Sequence, residues 1–358
     1  MIIYLILYAL IGVIGYTAYR AEAAQLRNAR QFSWVCFGLI FLLLALRHPS
    51  MGGDLGYHSE TDTGYLQSFD VLCAASWKSI LTVRQYLNYE FGYMLFNKFI
   101  GTLWQNRQFF LGACAFVSLF PVGYMIRKQS VSPALSWVIY LALPIFEMLF
   151  SGLRQGIAMG ICFLSILPLQ KKKPFFFLLS VLAASLFHDS ALVFLIAYPI
   201  YHIHLSGPFR FISVAAIPVI FLLRHPIFEL LRRLVNQDIV ADNNNAIAFL
   251  LLLSLIYVLC CLFYRSDDRT QNGFLNLLLV CSVIQVFSSV HVLAQRVGFF
   301  FMFPLVLLLP AVINNMEPRL RIAAKFAVIV FFVAFGLWRV YGSTWSMMYP
   351  YHWFWEAL

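Results

Sequence analysis

The chain has 358 residues, of which 62% are hydrophobic and 11% are charged. Soluble domains carry about 25% charged residues, so this composition excludes a water-soluble globular protein. The formal net charge is +10, but the Lys and Arg residues are scattered through short loops and helix ends, which argues against a nucleic-acid partner. The composition predicts an all-α polytopic membrane protein that forms a single membrane domain over residues 1–358.

Apolar runs bounded by charged residues, Pro or Gly predict about 12 transmembrane helices, within a range of about 10–13. The predicted spans, in chain order, are 2–19, 31–46, 108–126, 132–150, 154–169, 174–188, 190–204, 211–223, 246–264, 273–291, 297–313 and 326–342. Two longer polar stretches separate some of these spans. Residues 47–107 are predicted to form the first extracytoplasmic loop, and residues 224–245 the second.

Each of these loops is predicted to contain a helix that lies in the membrane interface. In the first loop, Asn97 and Lys98 interrupt a short apolar pattern over 91–104, which predicts an interfacial or re-entrant helix. In the second loop, apolar residues recur at helical spacing among charged ones, which predicts an amphipathic helix.

Short loops rich in Lys and Arg predict the sidedness of the bundle, because such loops stay in the cytoplasm. These loops are 20–30, 127–131, 170–173, 205–210, 265–272 and 314–325. Both termini then face outward. The seven Cys residues lie mostly inside apolar runs and lack metal-ligand spacing, so we predict no metal site.

Ionisable residues in a membrane bundle are costly, and here they accumulate at the outer helix ends, which predicts a polar cavity open to the outside. The first group begins at Arg47 and contains Asp54 and Tyr57. A carboxylate suits a general base, and a tyrosine suits stacking against a sugar ring. A solvated acidic loop would give the same pattern.

The second group is the sequence FSGLRQG, which contains Arg154 and Gln155. An Arg side chain can hold a phosphate or carboxylate through two hydrogen bonds. Helical spacing would place Glu147 on the same stripe. An internal pair of Arg154 with Glu147, serving only the bundle, is therefore the alternative interpretation.

The third group is LFHDSAL, where His188 is suited to proton transfer near neutral pH, although a His at a helix turn is often structural. In the fourth group, His291, Gln295 and Arg296 belong to a wide polar face that should look into the bundle. Two Arg residues with His and carboxylates fit an anionic headgroup such as a diphosphate. We therefore expect Arg154 and Arg296 to line one shared hollow.

Several short motifs occur in a characteristic order along this multispanning chain. They are Arg47, Gly53–Asp54, Tyr89–Glu90–Phe91–Gly92–Tyr93, Phe150–Ser151–Gly152–Leu153–Arg154–Gln155, Leu186–Phe187–His188–Asp189–Ser190–Ala191–Leu192 and Arg296. In this order the chain resembles the EpsG-like, Wzy-type polymerases of bacterial exopolysaccharides and surface glycans, and the resemblance extends over nearly the whole length.

The resemblance implies a GT-C-like fold and a glycosyltransferase that needs neither a metal nor a cofactor. Such an enzyme joins oligosaccharide repeat units carried on undecaprenyl diphosphate, at the outer face of the bacterial cytoplasmic membrane. The products are exopolysaccharide, O-antigen or capsule. The implied partners are the lipid-linked substrate, membrane lipid, and a flippase and chain-length regulator of the same pathway.

We assign roles to the candidate residues on this basis. The catalytic set comprises Arg154 and Arg296, which stabilise the departing diphosphate, and Asp54 as the general base, with His188 as the second choice. The substrate-binding set comprises Arg47, Tyr57, Glu90, Tyr93, Gln155, His291 and Gln295.

Three other functions are compatible with parts of this pattern. A flippase for lipid-linked oligosaccharide would also need a basic cavity, but its charges would extend through both bilayer halves, often with repeat symmetry. A surface-glycan O-acyltransferase would use His188 as its base but would leave the Arg residues without a task. A ligase that moves finished glycan uses the same lipid donor, and the sequence does not separate it from a polymerase.

Overall fold

A computed structural model of the chain describes residues 1–23, 29–56, 64–235 and 247–357. Within these ranges the chain is helical, and the β-type pairing there is the isolated bridge between Arg47 and Trp353. The α-helices in these ranges are α1 (Ile2–Ala23), α2 (Ser33–Ala45), α3 (Tyr65–Ala74), α4 (Ile80–Leu87), α5 (Phe91–Leu103), α6 (Arg107–Gln129), α7 (Pro133–Ala142), α8 (Pro144–Glu147), α9 (Leu153–Gln170), α10 (Pro174–Ser185), α11 (Ala197–His202), α12 (Gly207–Leu222), α13 (Arg224–Val235), α14 (Ile247–Phe263), α15 (Arg269–Phe287), α16 (Val292–Gly298), α17 (Phe303–Asn315) and α18 (Pro318–Tyr341).

The helices make the chain a multi-pass membrane protein, but they do not reproduce the predicted twelve spans. In the described ranges, α6, α9, α15 and α18 are long and apolar enough to cross a bilayer, and two bent pairs raise that number to six. The bent pairs are α12 with α13, and α16 with α17. Five shorter apolar helices, α1, α2, α7, α10 and α14, add to the bundle.

Two of the predicted spans show how the apolar runs are broken, each at an identifiable place in the chain. The span over 132–150 divides into α7 and α8, because Pro144 holds Leu143 in an extended conformation with ψ of 151°. The span over 190–204 begins as the 3-10 helix Asp189–Ile196 and becomes α-helical only in α11. The chain therefore contains more helix ends than the apolar pattern predicts.

The predicted first loop contains three of these helices, which pack against each other rather than projecting into water. Lys98 in α5 is buried, and its ammonium donates to the carbonyl oxygens of Cys73 and Ala75 at the end of α3, at 3.0 and 2.6 Å. The carbonyls at the end of α3 therefore gain a charged donor. With 13 residues, α5 is about 20 Å long, which is shorter than the hydrocarbon core.

In the predicted second loop, the amphipathic pattern does form a helix. This helix, α13, follows α12 with a bend of 76°. The remaining part of that loop, residues 236–245, lies outside the described residues.

The five basic loops that the structure describes throughout gather at one end of the bundle, which we call the basic end. The side-chain amides of Gln129 and Gln170 bond each other, so loops 127–131 and 170–173 are neighbours. His202 contacts the Leu169 carbonyl, and the Asn315 amide donates to the Phe263 carbonyl. Helix α9 runs from this end over about 27 Å to Arg154.

The chain after α18 folds back over the opposite end, which we call the site end. We refer to residues 343–357 as the C-terminal segment. Its backbone bonds to the stretch after α2, with Phe354 donating to the Leu46 carbonyl and His48 donating to the His352 carbonyl. The Tyr4 hydroxyl of α1 donates to the Met348 carbonyl at 2.8 Å. These bonds tie α1 and α2 to the final residues of the chain.

Candidate active site

Asp54 is positioned by a tight backbone crossing at the site end. The crossing brings the Gly52–Gly53 turn against Phe150 and Trp345. Gly52 has φ of 131°, and a Cβ there would overlap the Phe150 carbonyl oxygen. A Cβ on Gly53 would lie 2.7 Å from the Trp345 carbonyl oxygen. Glycine is therefore required at both positions by space, and at Gly52 also by backbone conformation.

Trp345 of the C-terminal segment contacts residues from several distant parts of the chain at the site end. Its carbonyl oxygen accepts hydrogen bonds from the Gly53 amide at 2.9 Å and the Ser151 hydroxyl at 3.0 Å. Its indole N–H donates to Asp54 Oδ1 at 2.8 Å. The Arg296 guanidinium lies over its ring, with 5.0 Å between the guanidinium carbon and the ring centroid. One side chain thus contacts both a candidate base and a candidate diphosphate-binding residue.

A second cluster links three residues from distant parts of the chain. Glu90, just before α5, accepts a bond from Arg154 at 2.5 Å through one carboxylate oxygen. Its other oxygen contacts His188 Nδ1 at 3.0 Å. The side chains of Arg154, Glu90 and His188 are 21%, 11% and 23% exposed. The imidazole is therefore oriented through Nδ1, which leaves Nε2 as the nitrogen that can meet a substrate hydroxyl.

The charge of Glu90 is set by its partners more than by its burial. Burial by itself raises the pKa of the Glu90 carboxyl, but the bond to His188 and the charge of Arg154 lower the pKa further, to about 2. Glu90 is therefore ionised at neutral pH and holds a negative charge between the side chains of Arg154 and His188.

Tyrosine rings form one wall of this cluster. The Arg154 guanidinium lies 4.4 Å from the centroid of the Tyr89 ring and donates to the Tyr65 hydroxyl at 3.3 Å. Burial raises the pKa of Tyr65 to about 12, and the Asp54 charge acts in the same direction. The charge of Arg154 and its bond to the Tyr65 hydroxyl oppose this increase.

Arg296 lies in the wall of a cavity of about 740 Å³. The polar residues of this wall are Glu147, Gln295, Arg296, Arg339, Thr344 and Trp345. Much of the remaining wall is aromatic or aliphatic and comes from α14 and α18. Glu147 pairs with Arg339 at 2.7 Å. The cavity therefore combines a cationic end with an apolar flank.

The expectation that Arg154 and Arg296 line one hollow is not met, because Arg154 is absent from the residues that line this cavity. The two residues are nevertheless linked, since the Gln155 side chain donates to the Arg296 carbonyl oxygen at 2.7 Å. The pair of Arg154 with Glu147 does not form either. The chain turns between α8 and α9, so the helical stripe that would join those residues is interrupted.

Arg47 and Tyr93 lie behind the site rather than in it. Arg47 is 1% exposed and donates to the carbonyl oxygens of Leu149 and Phe150, at 2.7 and 3.1 Å. Burial lowers the pKa of Arg47 to about 10, so it remains charged. Tyr93 is fully buried, and its ring packs edge-on against Tyr65. In this structure both residues support the backbone and the rings that carry the site.

The remaining predicted substrate-binding residues, Gln295, His291 and Tyr57, differ from one another in their surroundings. Gln295 lines the cavity beside Arg296. His291 caps α16 by accepting from the Leu293 amide at 3.1 Å, and its ring stacks on Phe228 of α13. The predicted continuous polar face is broken here, because α15 ends at Phe287. Tyr57 lies outside the described residues.

Sequence reasoning assigned no role to Trp345 or Arg339. Arg339 lies near the end of the last long apolar run, and Trp345 follows it. An aromatic residue at that place is readily interpreted as an interfacial anchor. A Trp beyond the final span, in a tail rich in aromatic residues, was the available signal.

The fold and the site together define a polytopic α-helical membrane protein with a polar site at one end of its bundle. The family model for the EpsG family matches residues 30–353, and the chain belongs to this family. Neither the curated proteins nor the solved structures contain a significant match.

Proposed function

We propose that the chain is a polysaccharide polymerase that joins oligosaccharide repeat units carried on undecaprenyl diphosphate. Membership of the EpsG family supports a polymerase of exopolysaccharide. The cavity beside Arg296 supports a lipid diphosphate donor, because its cationic end suits the diphosphate and its apolar flank suits an isoprenoid chain. Most of the surface of α18 is exposed, so this flank adjoins the lipid phase.

The reaction is a glycosyl transfer. A hydroxyl of the acceptor repeat unit attacks the anomeric carbon of the donor sugar, and the bond from that carbon to the diphosphate breaks. The diphosphate leaves with the bonding electron pair, and the hydroxyl proton passes to the general base. Arg296 stabilises the developing negative charge on the leaving group, which is the main demand of this step.

Asp54 is our first candidate for the base. The Trp345 indole joins Asp54 to Arg296, so the carboxylate lies close to the place where the leaving group is held. His188 is the second candidate, because Glu90 orients its ring in the manner of a carboxylate–histidine pair. In this scheme Arg154 acts through Glu90 and holds that carboxylate in place.

The observation that carries the proposal is the position of Trp345 between Asp54 and Arg296. A candidate base at the edge of one rigid indole and a cationic group over its face supply the two groups that the proposed displacement requires. The basic end lies about one membrane thickness away. Because loops rich in Lys and Arg stay in the cytoplasm, this separation supports a site at the outer face of the bacterial cytoplasmic membrane.

The test is elongation of a purified lipid-linked repeat unit by the purified protein in detergent. We expect Arg296→Ala to lower the rate by about 10²–10³, the usual effect of losing one such donor. Arg296→Lys should be nearly as poor, because an ammonium cannot reproduce two parallel hydrogen bonds. Arg107→Ala is the matched control, because that guanidinium is exposed and pairs with Asp70 away from the site.

Asp54→Asn and His188→Gln distinguish the two candidate bases in the same assay. The base variant should lose most of its turnover at saturating substrate. Wild-type elongation by Arg296→Ala would contradict the proposed role of that residue.

The same assay distinguishes a polymerase from the alternative functions. A flippase would not lengthen a lipid-linked unit in detergent, where no second compartment exists. A ligase would transfer glycan to a different acceptor and would not produce longer lipid-linked chains. Deletion of the gene should leave single repeat units on lipid in place of polymer.

A further inference from the structure

A second cavity lies at the basic end, far from the site described above. Its volume is about 590 Å³. The residues lining it are Gln170, Lys171, Lys172, Tyr201, His202, Ile203, His204, Arg269, Thr270 and Asn272. Three of them are permanent cations and two are histidines, and none of these lining residues is acidic. The function proposed above makes no use of this cavity.

The acidic residue next to Arg269 in the sequence, Asp268, does not line the cavity. Asp268 is committed to the start of α15, where one of its oxygens accepts from the amides of Thr270 and Gln271, at 2.8 and 3.2 Å. Its other oxygen accepts from the Gln271 side chain at 3.0 Å. Burial lowers the pKa of the His202 imidazole, and the charge of Lys172 acts in the same direction, while the contact with the Leu169 carbonyl opposes them. The positive charge around the hollow therefore comes from Lys171, Lys172 and Arg269.

A further cation lies directly behind the cavity wall. Arg210 is 0% exposed, and its guanidinium donates to the side-chain oxygens of Asn272 and Asn276, at 2.7 and 3.1 Å. These acceptors are neutral amides, so they leave the charge of Arg210 in place. Because charges are weakly screened in a buried setting, Arg210 adds to the positive potential at Asn272.

The wall is held in a fixed shape by bonds that do not involve the cations. Asn276 donates to the carbonyl oxygens of Ile200 and Ile203, at 2.9 and 2.7 Å, which fixes the end of α11 against α15. Gly273 packs against the ring of Tyr201, where a Cβ would overlap the ring. The shape of the cavity is thus fixed by the packing of α11 on α15, and this packing also helps to position the cations that line it.

Lys172 occupies an unusual backbone conformation for its residue type. Its φ is 52°, in the left-handed region that usually takes Gly or Asn after a helix. This conformation turns the chain at the end of α9, directly beside the cavity. A lysine is present at the place where a glycine would relieve the backbone strain.

We propose that this cavity binds a phosphate-bearing anion through Lys171, Lys172 and Arg269. The chemistry fits a phosphate group because several N–H donors with full positive charge converge on a polar hollow that supplies no competing carboxylate. Two sources provide such a group at a membrane surface. One is the headgroup of an anionic phospholipid, which basic pockets between membrane helices bind, and the other is soluble phosphate.

The positive-inside rule accounts for basic residues in this loop region, but not for their arrangement around a hollow. Topology alone requires that Lys and Arg be present near the helix ends. It makes no distinction between those that line the cavity and those that do not. The proposal therefore predicts that equal numbers of charges removed inside and outside the cavity have different effects.

The test compares two triple variants of the full chain. The cavity variant carries Lys171→Gln, Lys172→Gln and Arg269→Gln. The control carries Lys128→Gln, Arg265→Gln and Arg319→Gln, which removes three exposed charges outside the lining. Binding of dioctanoyl phosphatidylglycerol, dioctanoyl phosphatidylcholine and inorganic phosphate is measured in detergent, by native mass spectrometry for the lipids and by calorimetry for phosphate.

We expect the cavity variant to lose affinity for phosphatidylglycerol on the order of 100-fold, because each basic residue near an anionic lipid contributes about fivefold. The control should change by less than about threefold. Loss of lipid binding in the cavity variant alone identifies a lipid headgroup, and loss of phosphate binding alone identifies a soluble source. Equal losses in both variants, or equal affinity for phosphatidylcholine, would overturn the proposal.

A charge-retaining variant guards against simple misfolding. Lys171→Arg with Lys172→Arg keeps both charges and should retain the binding of whichever anion the wild type takes. If this variant loses binding as completely as the glutamine variant, the contacts are structural and the proposal is wrong. The outcome does not depend on polymerase activity, because every measurement here is of binding.

Discussion

The link from Arg154 through Glu90 to His188 gives a prediction with a magnitude that follows from the structure. Glu90→Gln keeps the size of the side chain and removes its charge. Lowering the pKa of Glu90 from 4.5 to about 2 corresponds to about 3 kcal/mol. Because the cluster is partly open to water, we expect the variant to lose about 2 kcal/mol of folding stability. This loss is about 4 °C in the midpoint of thermal unfolding.

The pH dependence of this effect has a definite sign. The folded-state pKa of Glu90 lies below the ordinary value of 4.5, so the carboxylate stabilises the folded state fully above about pH 4.5. This stabilisation is lost as the pH falls toward 2. The difference between the wild type and Glu90→Gln should therefore be constant from pH 6 to pH 8 and should shrink below about pH 4.5.

The assay is thermal unfolding of the detergent-purified protein, followed by tryptophan fluorescence. Asp70→Asn is the matched control, because Asp70 also pairs with an arginine at 2.5 Å, but both side chains are more than 40% exposed. An exposed pair contributes about 0–1 kcal/mol, so the control should shift by less than about 2 °C. If Glu90→Gln unfolds at the same temperature as the control, Glu90 does not hold the cluster together and its assigned role is wrong.

Three further predictions concern other contacts at the site end. Trp345→Phe keeps a ring under the guanidinium of Arg296 but removes the hydrogen-bond donor to Asp54, so the elongation rate should fall about tenfold with little change in unfolding temperature. An unchanged elongation rate would show that the indole N–H has no part in the mechanism. Glu147→Gln frees Arg339 to bind the diphosphate, so KM for the lipid-linked donor should fall by roughly threefold to tenfold. A higher KM would show that the pair of Glu147 with Arg339 lies outside the donor site. Arg47→Met leaves two buried carbonyl oxygens without donors and should cost about 2–4 kcal/mol in thermal unfolding, whereas a variant as stable as the wild type would show that these bonds are dispensable.

The sequence predicted the class of fold from its composition. Composition determines that the chain is helical and membrane-embedded, because only hydrogen-bonded helices satisfy the backbone in such apolar segments. The number of spans was not predictable in the same way. Pro144, for example, ends a helix inside a run that remains apolar on both sides, so the break leaves no trace in the hydrophobic pattern.

The partners of the site residues were less predictable than their identities. A pair of Arg154 with Glu147, an acidic residue on the same predicted helical stripe, was the alternative that the sequence left open. Arg154 pairs instead with Glu90, which lies 64 positions earlier in the chain, while Glu147 pairs with Arg339. Local periodicity gives neighbours on one helix, and it cannot give pairings made by helices that meet only in the folded bundle.

The C-terminal segment has a consequence for the biosynthesis of the protein. Ribosomes deliver a membrane protein from its amino terminus, and Trp345 comes after α18. Until that last long helix has been made, the Trp345 carbonyl oxygen is not available to Gly53 and Ser151, and the carboxylate of Asp54 has no indole beside it. The arrangement that we propose for catalysis can therefore assemble only after α18 has been made.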